Sequence, residues 1–134
     1  MARITEEMKK VTGKTKGFAF ATVTKDGDPH VIPVGFGTVL SEDELLLVDV
    51  FMSKTLENIK ANPRVAVSVW DIETLEGYEF KGSARVENSG KVFDESVKMV
   101  KGAMPQLDAK AAVIVKVDSI FVRTPGPDAG KKVS

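Results

Sequence analysis

The sequence predicts a mainly β domain: an antiparallel barrel of six strands with two or three short peripheral helices. Two observations carry this. Six segments are strand-like, either alternating apolar and small or polar residues or running apolar over a short stretch. The connections between them are mostly short and show no regular βαβ alternation, which disfavours a doubly wound parallel sheet. At 134 residues the chain has the size of one domain, taken here as residues 1–134, without an internal repeat or an interdomain linker.

Ile4 to Val11 opens with Thr5 as a helix N-cap. Glu6 and Glu7 occupy the first turn, and Ile4, Met8 and Val11 are spaced for one face, so a short helix is expected. Gly13 and Gly17 bracket a lysine-rich connection into the first strand, "GFAFATVT". Asp26-Gly27 tolerates positive φ and makes a tight turn into "HVIPVGFGTVL", read as one second strand. Pro33 lacks a ladder donor, and Gly35 and Gly37 lack side chains, so the middle of that strand packs poorly as ordinary sheet. Something else lying against it would explain the choice of residues.

Ser41 to Glu44 reads as a turn, because the following "LLLVDVF" is a continuous apolar run of strand type. "SKTLENIKANP" switches to helical periodicity through Leu56 and Ile59, begins at the capping residue Ser53 and stops before Pro63. "RVAVSVWD" and "YEFKGSARVE" alternate as strands. Phe93, Val97, Val100 and Met104 then mark a longer helix between Gly90 and Pro105. A last strand, "AAVIVKVDSIFVR", runs into "TPGPDAGKKV", whose prolines and glycines predict an extended tail.

Composition removes several functions. Nineteen basic residues balance nineteen acidic ones, so no net positive field steers the chain to nucleic acid or anionic membrane. Lys9, Lys10, Lys14 and Lys16 lack interleaved aromatics and read as a solvated face. The absence of cysteine excludes disulfides, thiolate chemistry and cysteine-ligated metals, and the single histidine, His30, is too few for a multi-histidine metal site. No metal is expected. Without a signal-like or membrane-spanning apolar run, the expected location is the cytoplasm. His30 and the acidic group Asp71, Glu73 and Glu76 read as turn residues in water, and Trp70 reads as core or interface.

The local pattern that bears most on chemistry is "LLVDVFMSKTLENIKANPRVAV", a strand, a turn and a helix start. Ser53, Lys54 and Thr55 there combine free backbone N–H groups, a positive helix end, a point charge and two hydroxyls, a set suited to a terminal phosphate. The same residues also read as an N-cap followed by solvated side chains. Both readings stand on local sequence alone.

From about Gly17 to Val86 the chain resembles the pyridoxamine phosphate oxidase-like split barrels, particularly their small FMN-binding members. The resemblance is carried by "FATVTKDGDPHVIPVGF", "MSKTLEN", "NPRVAV" and "YEFKGSARV" in that order. It implies a split, Greek-key barrel, FMN as cofactor, and a homodimer with the flavin at the subunit interface. It also implies site residues: Ile32, Pro33, Val34 and Gly35 beside the flavin ring, Asp49 and Val50 on the adjoining strand, and Lys54, Thr55 and Asn58 at the phosphate. Gly77 and Tyr78 fall where members approach phosphate or ring, often from the second subunit. The longer C-terminal segment and paired basic residues that hold substrate phosphate in the oxidases themselves are missing. The implied activity is a small flavin oxidoreductase or electron carrier with an unassigned substrate or redox partner. The alternatives are flavin storage without catalysis and a deazaflavin-dependent reductase, and no catalytic residue is singled out.

Overall fold

The computed structural model describes residues 2–134. Seven strands form one antiparallel sheet: β1 (Phe18–Val23), β2 (Pro29–Val34), β3 (Gly37–Ser41), β4 (Glu44–Asp49), β5 (Arg64–Trp70), β6 (Gly77–Glu87) and β7 (Ala111–Val122). Their order is β2-β1-β5-β6-β7-β4-β3, and the sheet curls into a half-barrel; Val48 N–H donating to Phe36 O at 2.9 Å extends the β3–β4 pairing by one residue.

The expected count of six strands is corrected to seven. The long second segment breaks after Val34: its first part pairs with β1 and its second with β4, so one stretch of chain crosses between the two ends of the sheet. Gly37 permits the crossing, since a Cβ there would stand 2.7 Å from Leu46 O and 2.9 Å from the Phe18 ring.

Alternation sorts the side chains. Phe18, Phe20 and Thr22 of β1 point inward with Val65, Val67 and Val69 of β5, while Ala19, Ala21, Ala66 and Ser68 point outward. The continuous apolar run of β4 has a different cause. Leu45 and Leu47 join the inner core, whereas Leu46 and Val48 join a second cluster with Ala112 and Ile114 of β7 and Val100 of α3 (Lys91–Ala103), so both faces of this strand are covered.

Helix α1 (Glu6–Lys14) is capped as its sequence implies: Met8 N–H donates to Thr5 Oγ1 at 3.3 Å, and Met8 and Val11 are buried in the inner core. Helix α2 (Lys54–Ala61) sends Ile59 into the same core and stops just before Pro63. No helix among the described residues is long and apolar enough to cross a membrane. The tail is not free and extended. Gly126 and Gly130, both at positive φ, turn it back so that Gly130 N–H donates to Val122 O at 2.7 Å and Val133 N–H to Ile120 O at 2.8 Å. β4 pairs with β7 only as far as Lys116, and the tail covers the remaining edge.

Candidate functional site

Beyond β4 the chain makes a fixed turn. Met52 N–H donates to the Asp49 carboxylate at 2.8 Å, and Lys110 N–H donates to Asp49 O at 2.7 Å. Asp49 is 1% exposed, and burial pushes its carboxyl above the usual range, against the lowering effect of the Met52 N–H and the Lys110 charge. This turn sets Val50, Phe51 and Met52 opposite the end of β2. Between them lies a groove of about 450 Å³, at the place where β2 leaves β1 and the sheet is split.

Ile32, Pro33, Val34, Gly35 and Val50, which the resemblance implied as cofactor residues, line this groove. Asp49 does not; its carboxylate shapes the turn. Phe36, Val48, Phe51, Met52 and Leu107 also line it and were not singled out from the sequence. Val48 lies on the outward face of β4 and Val50, just past its end, joins the same outer cluster, so period two was a usable signal for Val48. Nothing in the sequence marked Leu107, which arrives from the connection after α3. Phe51 is 78% exposed between two buried neighbours, an aromatic ring held at the groove rim by the Asp49 turn.

The helix start follows directly. Ser53 and Lys54 are exposed, and the Ser53 side chain does not cap the helix; its backbone oxygen accepts from Leu56 N–H at 3.2 Å. Thr55 is 1% exposed, and its Oγ1 is buried without a hydrogen-bond partner among the described residues. A buried hydroxyl left unpaired costs about 1–3 kcal/mol. Asn58 is already committed: its Nδ2 donates to Thr22 Oγ1 at 3.0 Å and ties α2 to β1. The cradle therefore offers an orphaned hydroxyl, an exposed cation in Lys54 and a helix N-terminus.

One chain does not bring Gly77 and Tyr78 to this cradle. Arg64, just past α2, and Trp70, paired with Gly77, stand at opposite ends of β5, roughly 20 Å apart at 3.3 Å per residue. Tyr78 instead packs its ring 6.5 Å from Phe80, and burial, with the charges of Glu7 and Glu76, pushes its hydroxyl above the ordinary value. His30 lies within β2 opposite Thr22, not in the turn. Asp71 does hold a turn: its carboxylate accepts from Glu73 N–H at 2.9 Å, which with nearby Lys14 keeps it below the usual range. Trp70 is not core, being 41% exposed.

Residues 4–123 match the pyridoxamine 5'-phosphate oxidase family. An uncharacterized protein of Methanocaldococcus jannaschii, MJ0282, is 35% identical over 136 aligned positions, covering 100% of this chain and 90% of its own. The crystal structure of HupZ from Group A Streptococcus superposes with a TM-score of 0.82 at 28% identity, over 95% of this chain and 99% of that one. An FMN-binding protein from Syntrophomonas wolfei shares the fold alone, with a TM-score of 0.75 at 14% identity over 87% and 86% of the two chains. The split sheet, the groove beside it and these matches together place the chain in the pyridoxamine 5'-phosphate oxidase family.

Proposed function

We infer that the chain binds FMN, with the ring in the groove along Ile32 to Gly35 and the phosphate at the start of α2, in a homodimer that has the cofactor at the subunit boundary. The observation that carries this is the orphaned Thr55 Oγ1 at the helix start next to an apolar groove. A phosphate oxygen would satisfy that hydroxyl, Lys54 would add charge, and the groove would take a flat apolar ring. Bound FMN supplies one- and two-electron redox chemistry, and the chain supplies orientation and exclusion of water. The function is then that of a small flavin oxidoreductase or electron carrier.

Other chains of this fold include an F420 reductase and the haem storage protein HutZ from Vibrio cholerae. Among the groove residues only Met52 has a side chain able to ligate iron, which favours a flavin over haem here. A deazaflavin would meet the same groove. Titration of the purified protein with FMN tests the reading: a shifted flavin band, about one FMN per chain and a raised melting temperature are expected. A protein that FMN neither colours nor stabilises, but that F420 does, transfers the site to the deazaflavin. Anaerobic reduction of the FMN form by reduced nicotinamides separates an enzyme from a carrier.

A further inference from the structure

A free sheet edge exposes unpaired N–H and C=O groups, and proteins blunt such edges with proline, charge or a covering segment. The edge of β2 is blunted by proline. Thr24 N–H donates to Asp28 O at 2.9 Å, so by two-residue alternation Phe18, Phe20 and Thr22 exchange hydrogen bonds with β2, and Pro29 and Pro33 turn nitrogens that carry no hydrogen toward the outside. The edge of β7 that β4 leaves bare beyond Lys116 is covered by the tail. Strand β3 has neither defence: Gly37 to Ser41 include no proline and no charge, and each is partly exposed.

The register fixes which groups of β3 are free. Val48 N–H donates to Phe36 O, so Phe36 and Thr38 aim their hydrogen-bonding groups at β4, and Gly37 and Val39 turn theirs away from it. Among the described residues, no backbone group outside the β3–β4 pair bonds to Gly37 or Val39. Beside this edge runs a groove of about 540 Å³, walled on its other side by Lys9, Thr12 and Gly13 of α1. Consecutive residues of β3, from Gly37 through Ser41, line it, whereas a groove over one face of a strand would be lined by alternate residues. The edge itself therefore opens into the groove. Neighbouring strands lie about 4.8 Å apart, so a strand paired with β3 would run along this groove with α1 on its far side.

We propose that the groove between β3 and α1 takes an extended peptide segment of another protein, which pairs with Gly37 and Val39 as an added strand. The walls define the chemistry of that segment. Lys9 is paired with Glu6 at 3.1 Å and Glu42 with Arg3 at 3.5 Å, and these charges gather at the Glu42 end of the strand. The rest of the wall is threonine, glycine, valine, leucine and serine. The middle of the segment is therefore uncharged, with small or β-branched side chains that suit an extended backbone. A charged peptide or a nucleic acid would find no complementary field along this stretch. A second copy of the chain does not fit by the same edge. Each β3 has α1 standing beside it, so two such edges brought together would collide at their helices, whereas a single strand passes between helix and sheet. The site is separate from the groove beside β2 and does not depend on a bound cofactor.

Backbone amide signals of the full chain, followed by nuclear magnetic resonance as capped peptides of the length of β3 are added, test the site. The probes alternate threonine with valine, leucine or alanine. With at least one of them the Gly37 and Val39 amides should shift and exchange more slowly with solvent. Val39→Pro removes a donor from the free edge without touching the ladder to β4, and should weaken binding about fivefold or more. Gly13→Leu repeats the test from the helix side if Val39→Pro does not fold. A Cβ at Gly13 would meet nothing within 4 Å, so leucine fills the groove while favouring the helix, and binding should be lost with circular dichroism unchanged. Probes that all leave both amides unmoved overturn the proposal, as does equal affinity in wild type and Gly13→Leu. Amides of Gly37 and Val39 that become protected as the protein is concentrated, with no peptide present, assign the edge to a second copy and overturn it as well.

Discussion

Replacing Thr55 by valine should move stability and affinity in opposite directions. The side chain is 1% exposed and its Oγ1 has no partner, so the apoprotein carries a buried polar atom that gains nothing from folding. Valine keeps the shape and removes the hydroxyl. The apoprotein should gain about 1–2 kcal/mol, within the range for relieving a buried unpaired group, and its melting temperature should rise by a few degrees. With FMN the sign reverses. A hydroxyl donating to a phosphate oxygen is a hydrogen bond to a charged group, worth about 1.5–3 kcal/mol, so the dissociation constant should rise roughly ten- to a hundredfold. Calorimetric melting of the apoprotein and a fluorescence titration with FMN measure the two effects on the same preparation. A Thr55→Val chain that melts lower than wild type would show that the hydroxyl is satisfied in solution. One that binds FMN as tightly as wild type would remove Thr55 from the phosphate site.

Three further perturbations have defined outcomes. Lys54→Ala removes an exposed cation; FMN affinity should fall by about tenfold while the apoprotein melting temperature stays put, and a stability loss instead would assign Lys54 to the fold. Gly82→Ala drives a Cβ into the Lys116 carbonyl at the irregularity between β6 and β7, where neither partner is a flexible side-chain end. Urea unfolding should show a loss of about 3 kcal/mol or more, the upper part of the overpacking range, and a neutral result would mean that the two strands can part locally. Asp49 titrates above its ordinary 3.8 in the folded chain because burial disfavours its charge. The folded state then holds the proton more tightly than the unfolded one, so Asp49 contributes stability at low pH that is lost as pH rises from 3.8 through the raised value. Asp49→Asn keeps an acceptor for Met52 N–H and abolishes this slope, which denaturation curves across that pH range would reveal; an unchanged slope assigns it to another group.

Much of the architecture was written in local pattern. Thr5 capped α1, Asp26-Gly27 turned the first hairpin, Pro63 stopped α2, and the alternation of Val65, Val67 and Val69 marked a half-buried strand, because each of these effects acts within a few residues of chain. That the segment Ile32 to Gly35 is not ordinary sheet was legible for a related reason: proline and glycine are poor sheet formers, and their presence asks for an explanation outside the sheet, which the family resemblance put down to a flavin ring. Only the tertiary structure split the second strand, since the break after Val34 is decided by which distant strands, β1 and β4, each half can reach. It brought Leu107 and Phe36 to the groove and turned the tail back onto β7. It also divided Asn58 from Thr55, giving one a partner on β1 and leaving the other without any, although the two lie three residues apart on one helix. Local sequence carries propensity and periodicity; which buried hydrogen-bonding group finds a partner depends on elements dozens of residues away, and that is settled only when the sheet closes around them.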